Sequence, residues 1–172
     1  MASKRGKQTI RDMFLSLVLI VAAAGVIYVF VPHDDKADPV KAVDYRVELA
    51  TARRAAPYPV AAPSGLPGGW KATSVSYDGA DGSSWHLGFI DPDGRYVAVE
   101  QSTTPAKKYV PDVSQDAEDT GRTETVAGQK WQYWKGAKYD ALVLNADGAT
   151  TVVTGSAPRK QLVAMATALT TS

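Results

Sequence analysis

The segment SSWHLGFIDPDGRYVAVEQ, residues 83–101, brings serines, a histidine and aspartates close together in the chain. These are the residue types of a nucleophilic hydroxyl, a general base and an orienting carboxylate. Spacing decides whether they can meet. On an extended strand Ser84 and His86 share a face, whereas Asp91 lies five residues beyond the histidine, about 17 Å away at ~3.3 Å per residue. A triad needs contacts of about 3 Å, so Ser84, His86 and Asp91 are not expected to form one.

The same segment reads well as a hairpin. In DPDG, Asp91 opens a type I turn, Pro92 presets φ, and Gly94 is free to take positive φ in a bulge that pairs Asp91 with Arg95. Counting outward sets His86 opposite Glu100, Leu87 opposite Val99, Phe89 opposite Val97 and Ile90 opposite Tyr96. Trp85, Leu87, Phe89, Val97 and Val99 then share a core face. His86 and Glu100 become a cross-strand ion pair on the other face, a contribution of about 0.2–1 kcal/mol.

A second cluster is KWQYWKGAKY, residues 130–139, which holds two of the four tryptophans. Alternation sends Trp131 and Tyr133 to one face and Gln132 and Trp134 to the other. With Trp131 and Tyr133 in the core, Trp134 is expected on an exposed binding surface with Gln132, Lys135, Lys138 and Tyr139. Interleaved aromatics and polar groups of this kind form stacking platforms for glycans, or grooves for lipids and peptides. The competing reading is that Trp131 and Tyr133 point to one side and Trp134 to the other, with at least one of those sides core.

Other chemistry is poorly represented. DGADGS (78–83), DPDG (91–94) and NADG (145–148) resemble pieces of calcium loops but lack the full ligand spacing and read as turns. There is no GxSxG, P-loop or GxGxxG, Glu118 and Asp119 are adjacent in a polar loop, and His33 has no second histidine beside it. The absence of cysteine removes disulfides, thiol nucleophiles and zinc thiolate sites. No catalytic residue, metal site or cofactor is expected.

These segments need elements to hold them. Residues 13–31, MFLSLVLIVAAAGVIYVFV, carry no charge and as a helix span about 28 Å, close to the ~30 Å bilayer core. Residues 1–12 carry +3 of a total of +1, so the rest of the chain is mildly acidic. The positive-inside rule then predicts a cytoplasmic tail over 1–12, a transmembrane anchor over 13–31 and an extracytoplasmic C-terminal domain. A cleavable signal with Ala22, Ala23 and Ala24 at the cleavage site is the alternative, although the apolar run continues past Ala24. An acidic domain lacks the clustered cations that nucleic acid requires, so no nucleic-acid partner is expected.

Residues 32–69 read as a linker containing a helix that starts at Asp38 and Pro39 and runs to Pro57, although YRVEL alone would also suit a strand. From Trp70 onward seven short runs of period two predict an antiparallel sheet. A short helix starting at Thr104–Pro105, broken or restarted by Pro111, interrupts them. A final helix, capped by Ser156, carries the stripe Leu162, Met165, Ala166, Leu169. The expected class is α+β, with an antiparallel sheet of about seven strands over 70–172 and helices packed on one face.

GLPGGW (65–70), WHLGF, PDGRYVAVEQS, VAGQKWQYW and TTVVTGSAPRKQLVAMATAL, taken in that order with the basic tail and apolar helix, resemble an actinobacterial family of single-pass membrane proteins, domain of unknown function 4245. The resemblance covers nearly the whole chain and implies an extracytoplasmic α+β domain behind an N-terminal anchor. It implies no activity and no catalytic residues. In architecture alone the chain is similar to the Mog1/PsbP-like sandwiches, several of which act as accessory proteins. The expected function is a membrane-anchored protein-interaction or accessory module of the cell envelope. A binder of cell-wall glycan or lipid is the alternative, and a hydrolase the third possibility.

Overall fold

The computed structural model describes residues 4–30 and 41–171. They fall into two compact units. The first is helix α1, Lys4–Phe30. Its stretch Ile10–Tyr28 is long and apolar enough to cross a membrane, and none of it is buried against protein. Leu19, Ile20 and Ile27 are all exposed, an arrangement that water would oppose at about 1.5–3 kcal/mol for each such side chain. The residues expected at the membrane exit, Pro32 to Asp35, and the expected helix start at Asp38–Pro39 lie outside the described residues.

In the second unit helix α2 spans Arg46–Ala55. Asp44 marks its start by accepting the Arg46 N–H at 3.1 Å, and it ends where Ala56, the residue before Pro57, turns extended. YRVEL is therefore helical apart from Tyr45, whose ring meets Phe89 edge-on at 5.9 Å. The strands follow: β1 Ala62–Pro63, β2 Lys71–Asp78, β3 Ser84–Ile90 and β4 Tyr96–Ser102. Helix α3, Ala106–Ser114, precedes β5 Glu118–Val126, β6 Gln129–Lys135, β7 Asp140–Ala146 and β8 Ala149–Gly155. Helix α4, Arg159–Ala168, and β9, Leu169–Thr170, close the chain.

Strands β2 to β8 form one antiparallel sheet in the order β2-β3-β4-β8-β7-β6-β5, consistent with the α+β class and the seven strands expected. A separate two-stranded ladder pairs β1 with β9. This ladder was not expected, because two-residue strands carry no periodicity. The β3–β4 hairpin has the anticipated register, His86 opposite Glu100 and Ile90 opposite Tyr96. Its turn closes through Gly94 N–H to Asp91 O at 3.0 Å and Asp91 N–H to Arg95 O at 2.8 Å, with Gly94 at φ +79.

Alternation divides the side chains between two cores. On one face Trp85, Leu87, Phe89, Val97, Val99, Trp131, Leu142 and Val153 pack against Ala52 of α2 and Leu162, Met165 and Ala166 of α4. On the other, Val143, Val152, Ala141 and Trp134 pack against Tyr109 and Val110 of α3. The helices therefore cover both faces, not one. Two details near the helix starts also differ from expectation. Helix α3 runs through Pro111, whose ring costs it one internal hydrogen bond and no break. Ser156 does not cap α4; its hydroxyl accepts the Tyr96 N–H at 3.1 Å, and Pro158 stands at the cap.

Candidate functional site

The face of β2–β3–β4 opposite α4 carries Ser74, Ser76, His86, Gly88, Tyr96 and Glu100, the polar half of each strand's alternation. Here the histidine has two partners. Its Nδ1 lies 2.6 Å from Glu100 Oε1, and its Nε2 lies 2.7 Å from the Ser74 hydroxyl. The expected ion pair is present, and a serine from the neighbouring strand completes a chain of three.

The positions follow from backbone geometry. Ser76 pairs directly with His86 and Ser74 with Gly88, so Ser74 reaches the imidazole diagonally, just after a bulge between Ala72 and Ser74. Gly88 makes the approach possible, because a Cβ at that position would run into Ser74 Oγ and come within 3.1 Å of the Tyr96 ring and hydroxyl.

The electrostatics reflect burial. The Glu100 side chain is 10% exposed and that of His86 28%. Burial pushes the Glu100 carboxyl up, with His86 opposing through its hydrogen bond. The hydrogen bond to Glu100 holds the His86 imidazole above its usual range, against desolvation. Burial, with help from the Glu100 charge, pushes the Tyr96 phenol up to about 12, and a hydrogen bond with Ser74 acts the other way.

Beside His86 a cleft of about 350 Å³ runs between these strands and α3. Its floor is His86, Glu100 and Ser102, its near wall Ser76, Asp78, Asp81 and Ser84, and its far wall Thr104, Lys108, Tyr109 and Asp112. The near rim is fixed locally. Gly82 O accepts the Ser102 and Thr103 hydroxyls, both at 2.9 Å, and Asp78 Oδ1 accepts the Ala80 N–H at 2.8 Å. The segment 78–83 is thus a turn pinned to the end of β4. Among the described residues no group of three His, Cys, Asp or Glu could hold a metal ion.

The surface expected around Trp134 does not assemble. Trp134 is 6% exposed, because α3 lies over its face and Val143, Val152 and Val110 surround the indole. Its Nε1 is buried with no hydrogen-bond partner. Gln132 is half-buried and Lys138 exposed. Lys135 is held at 2.9 Å by Asp140, which also accepts the Tyr133 hydroxyl at 2.8 Å. Burial pushes the Asp140 carboxyl up, and these two donors overcome it to hold the group below the usual carboxylate range. Tyr139 leaves the group altogether and packs on Tyr96 at 5.9 Å between ring centroids. Sequence reasoning missed Ser74. Its one signal was the polar pair Ser74 and Ser76 alternating with Val75 and Tyr77.

An apolar N-terminal helix followed by a seven-stranded antiparallel sheet with helices on both faces defines an α+β protein whose polar groups converge on one end of one sheet face. The chain belongs to the family described as "Protein of unknown function (DUF4245)", whose model matches residues 5–169. No curated protein and no solved structure matches the chain.

Proposed function

We propose that the chain is a single-pass protein of the cell membrane, its N-terminus cytoplasmic and its sheet domain extracytoplasmic, and that the domain binds cell-wall glycan in the cleft beside His86. The anchor rests on the apolar helix Ile10–Tyr28 behind a basic tail. The binding role rests on the cleft. Hydroxyls of Ser76, Ser84, Ser102 and Thr104 alternate there with carboxylates, an ammonium and an imidazole around about 350 Å³. That volume falls at the small end of the ~300–1,000 Å³ range of ligand sites and suits a sugar unit bonded through many hydroxyls.

NMR titration of the domain with soluble cell-wall oligosaccharides should shift the amide signals of His86, Ser102 and Lys108. Asp81→Asn and Lys108→Ala should each weaken binding by about tenfold, the worth of one hydrogen bond to a charged group. Unchanged spectra at millimolar oligosaccharide end this reading.

A protein-interaction or accessory role is the second reading, and a different surface favours it. Val43, Tyr45, Leu66, Trp70 and Phe89 line an apolar groove of about 340 Å³, and nearby in sequence Val47 is 72% exposed. Crosslinking from Val47 in native membranes should capture a protein partner on this reading and none on the first.

A further inference from the structure

Ser74, His86 and Glu100 stand on three adjacent strands in the connectivity of an acyl-transfer site: hydroxyl to Nε2 at 2.7 Å, Nδ1 to carboxylate at 2.6 Å. The carboxylate is nine-tenths buried, the imidazole partly exposed, and the hydroxyl lies on the open edge strand β2. We propose that Ser74 is an activated nucleophile which hydrolyses unhindered esters of short acyl chains, with His86 as its base and Glu100 orienting the imidazole. The proposal goes beyond glycan binding. It shares His86 and Glu100 with the cleft, whereas Ser74 stands on the opposite side of the imidazole and lines neither that cleft nor the apolar groove described above.

The chemistry closes with water as co-reactant. Ser74 Oγ forms a bond to the ester carbonyl carbon and its proton passes to His86 Nε2. The tetrahedral centre then expels the alcohol, which takes that proton as the carbon–oxygen bond breaks. Water attacks the acyl-serine, its proton goes to Nε2, and collapse returns the proton to Ser74 and releases the acid. Glu100 holds Nδ1–H throughout, which keeps Nε2 free to accept. The Tyr96 hydroxyl lies with Ser74 Oγ above Gly88, close to the carbon under attack. Neither cavity described above reaches Ser74, so neither sheathes a long chain, which favours short acyl groups.

The test is covalent. A fluorophosphonate probe incubated with the full chain should give one adduct, mapped by mass spectrometry to Ser74. Its rate should rise with pH as the imidazole loses its proton, at a pH above the usual histidine value because Glu100 stabilises the charged form. His86→Gln should slow labelling on the order of 100-fold or more in a chain that still unfolds cooperatively. An unlabelled Ser74 in the folded unmodified chain overturns the proposal, and so does a rate independent of pH. Oligosaccharide binding with an unlabelled Ser74 removes the hydrolase alone. A labelled Ser74 without oligosaccharide binding removes the glycan reading alone.

Discussion

Trp131 and Trp134 stand three residues apart on β6 and are buried on opposite faces of the sheet, at 3% and 6% exposure, one under α4 and one under α3. Both indoles are therefore core. Trp134→Ala should destabilise the domain by about 3–5 kcal/mol, as for Trp131→Ala. Trp134→Phe should cost much less, because it removes the unpaired Nε1–H along with part of the ring. Urea unfolding of the three variants checks the order, and a Trp134→Ala domain as stable as wild type would show that α3 does not seal that face.

The His86–Glu100 pair gives stability a pH dependence of definite sign. Both groups have folded pKa values above their ordinary 6.5 and 4.5. The folded state thus binds protons more tightly than the unfolded one, and stability falls as pH rises. The histidine's contribution is complete below about pH 6.5 and is lost as pH climbs through its raised folded value. Chemical denaturation between about pH 6 and 9 should show this fall, and His86→Gln should flatten it. Parallel curves for the two proteins would contradict the assignment.

Gly88→Ala places a Cβ against Ser74 Oγ and the Tyr96 ring. The expected cost is about 1–3 kcal/mol from overpacking. Adding Ser74→Ala removes the struck atom and should recover part of that loss, so the two substitutions couple in a double-mutant cycle. Strict additivity would mean that Ser74 does not lie over the glycine.

Truncation after Gly155 removes Leu162 and Met165, both fully buried, together with the partner of β1. Burial of two such side chains contributes about 1.5–3 kcal/mol each. The shortened domain should show no cooperative thermal transition, and an unchanged melting temperature refutes this.

The anchor reading predicts that the native protein keeps residues 1–31. Mass spectrometry of material purified from membranes should find the intact N-terminal segment. A new terminus near Gly25 would instead identify α1 as a cleaved signal.

What could be read in the sequence was local. DPDG sets the β3–β4 register because Pro92 and Gly94 constrain their own dihedrals, and the Leu162–Met165 stripe exposes its need for a partner by spacing alone. Trp134 and Ser74 were different. Alternation placed Trp134 correctly on the face of Gln132, but the burial of that face depends on where α3 crosses, which no residue near Trp134 encodes. The contact of Ser74 with His86 requires the β2–β3 register, shifted by a bulge near Thr73. It also requires the space left by Gly88. The pairing of β1 with β9 joins residues more than one hundred positions apart and leaves no local trace.

The strand order has a consequence for synthesis. Strands β2, β3 and β4 form one meander and β5 to β8 another, and the two meet only where β4 pairs with β8. Chains emerge N-terminus first at roughly 5–20 residues per second. The first meander can therefore assemble seconds before Ala149–Gly155 exists, with β4 as a temporary free edge. That edge is Tyr96–Ser102, YVAVEQS, apolar in its first half and almost fully buried in the finished domain. An unpaired strand edge of this kind is a template for adding another chain. The nascent protein is most exposed to misassembly during that interval, before β8 covers the edge of β4.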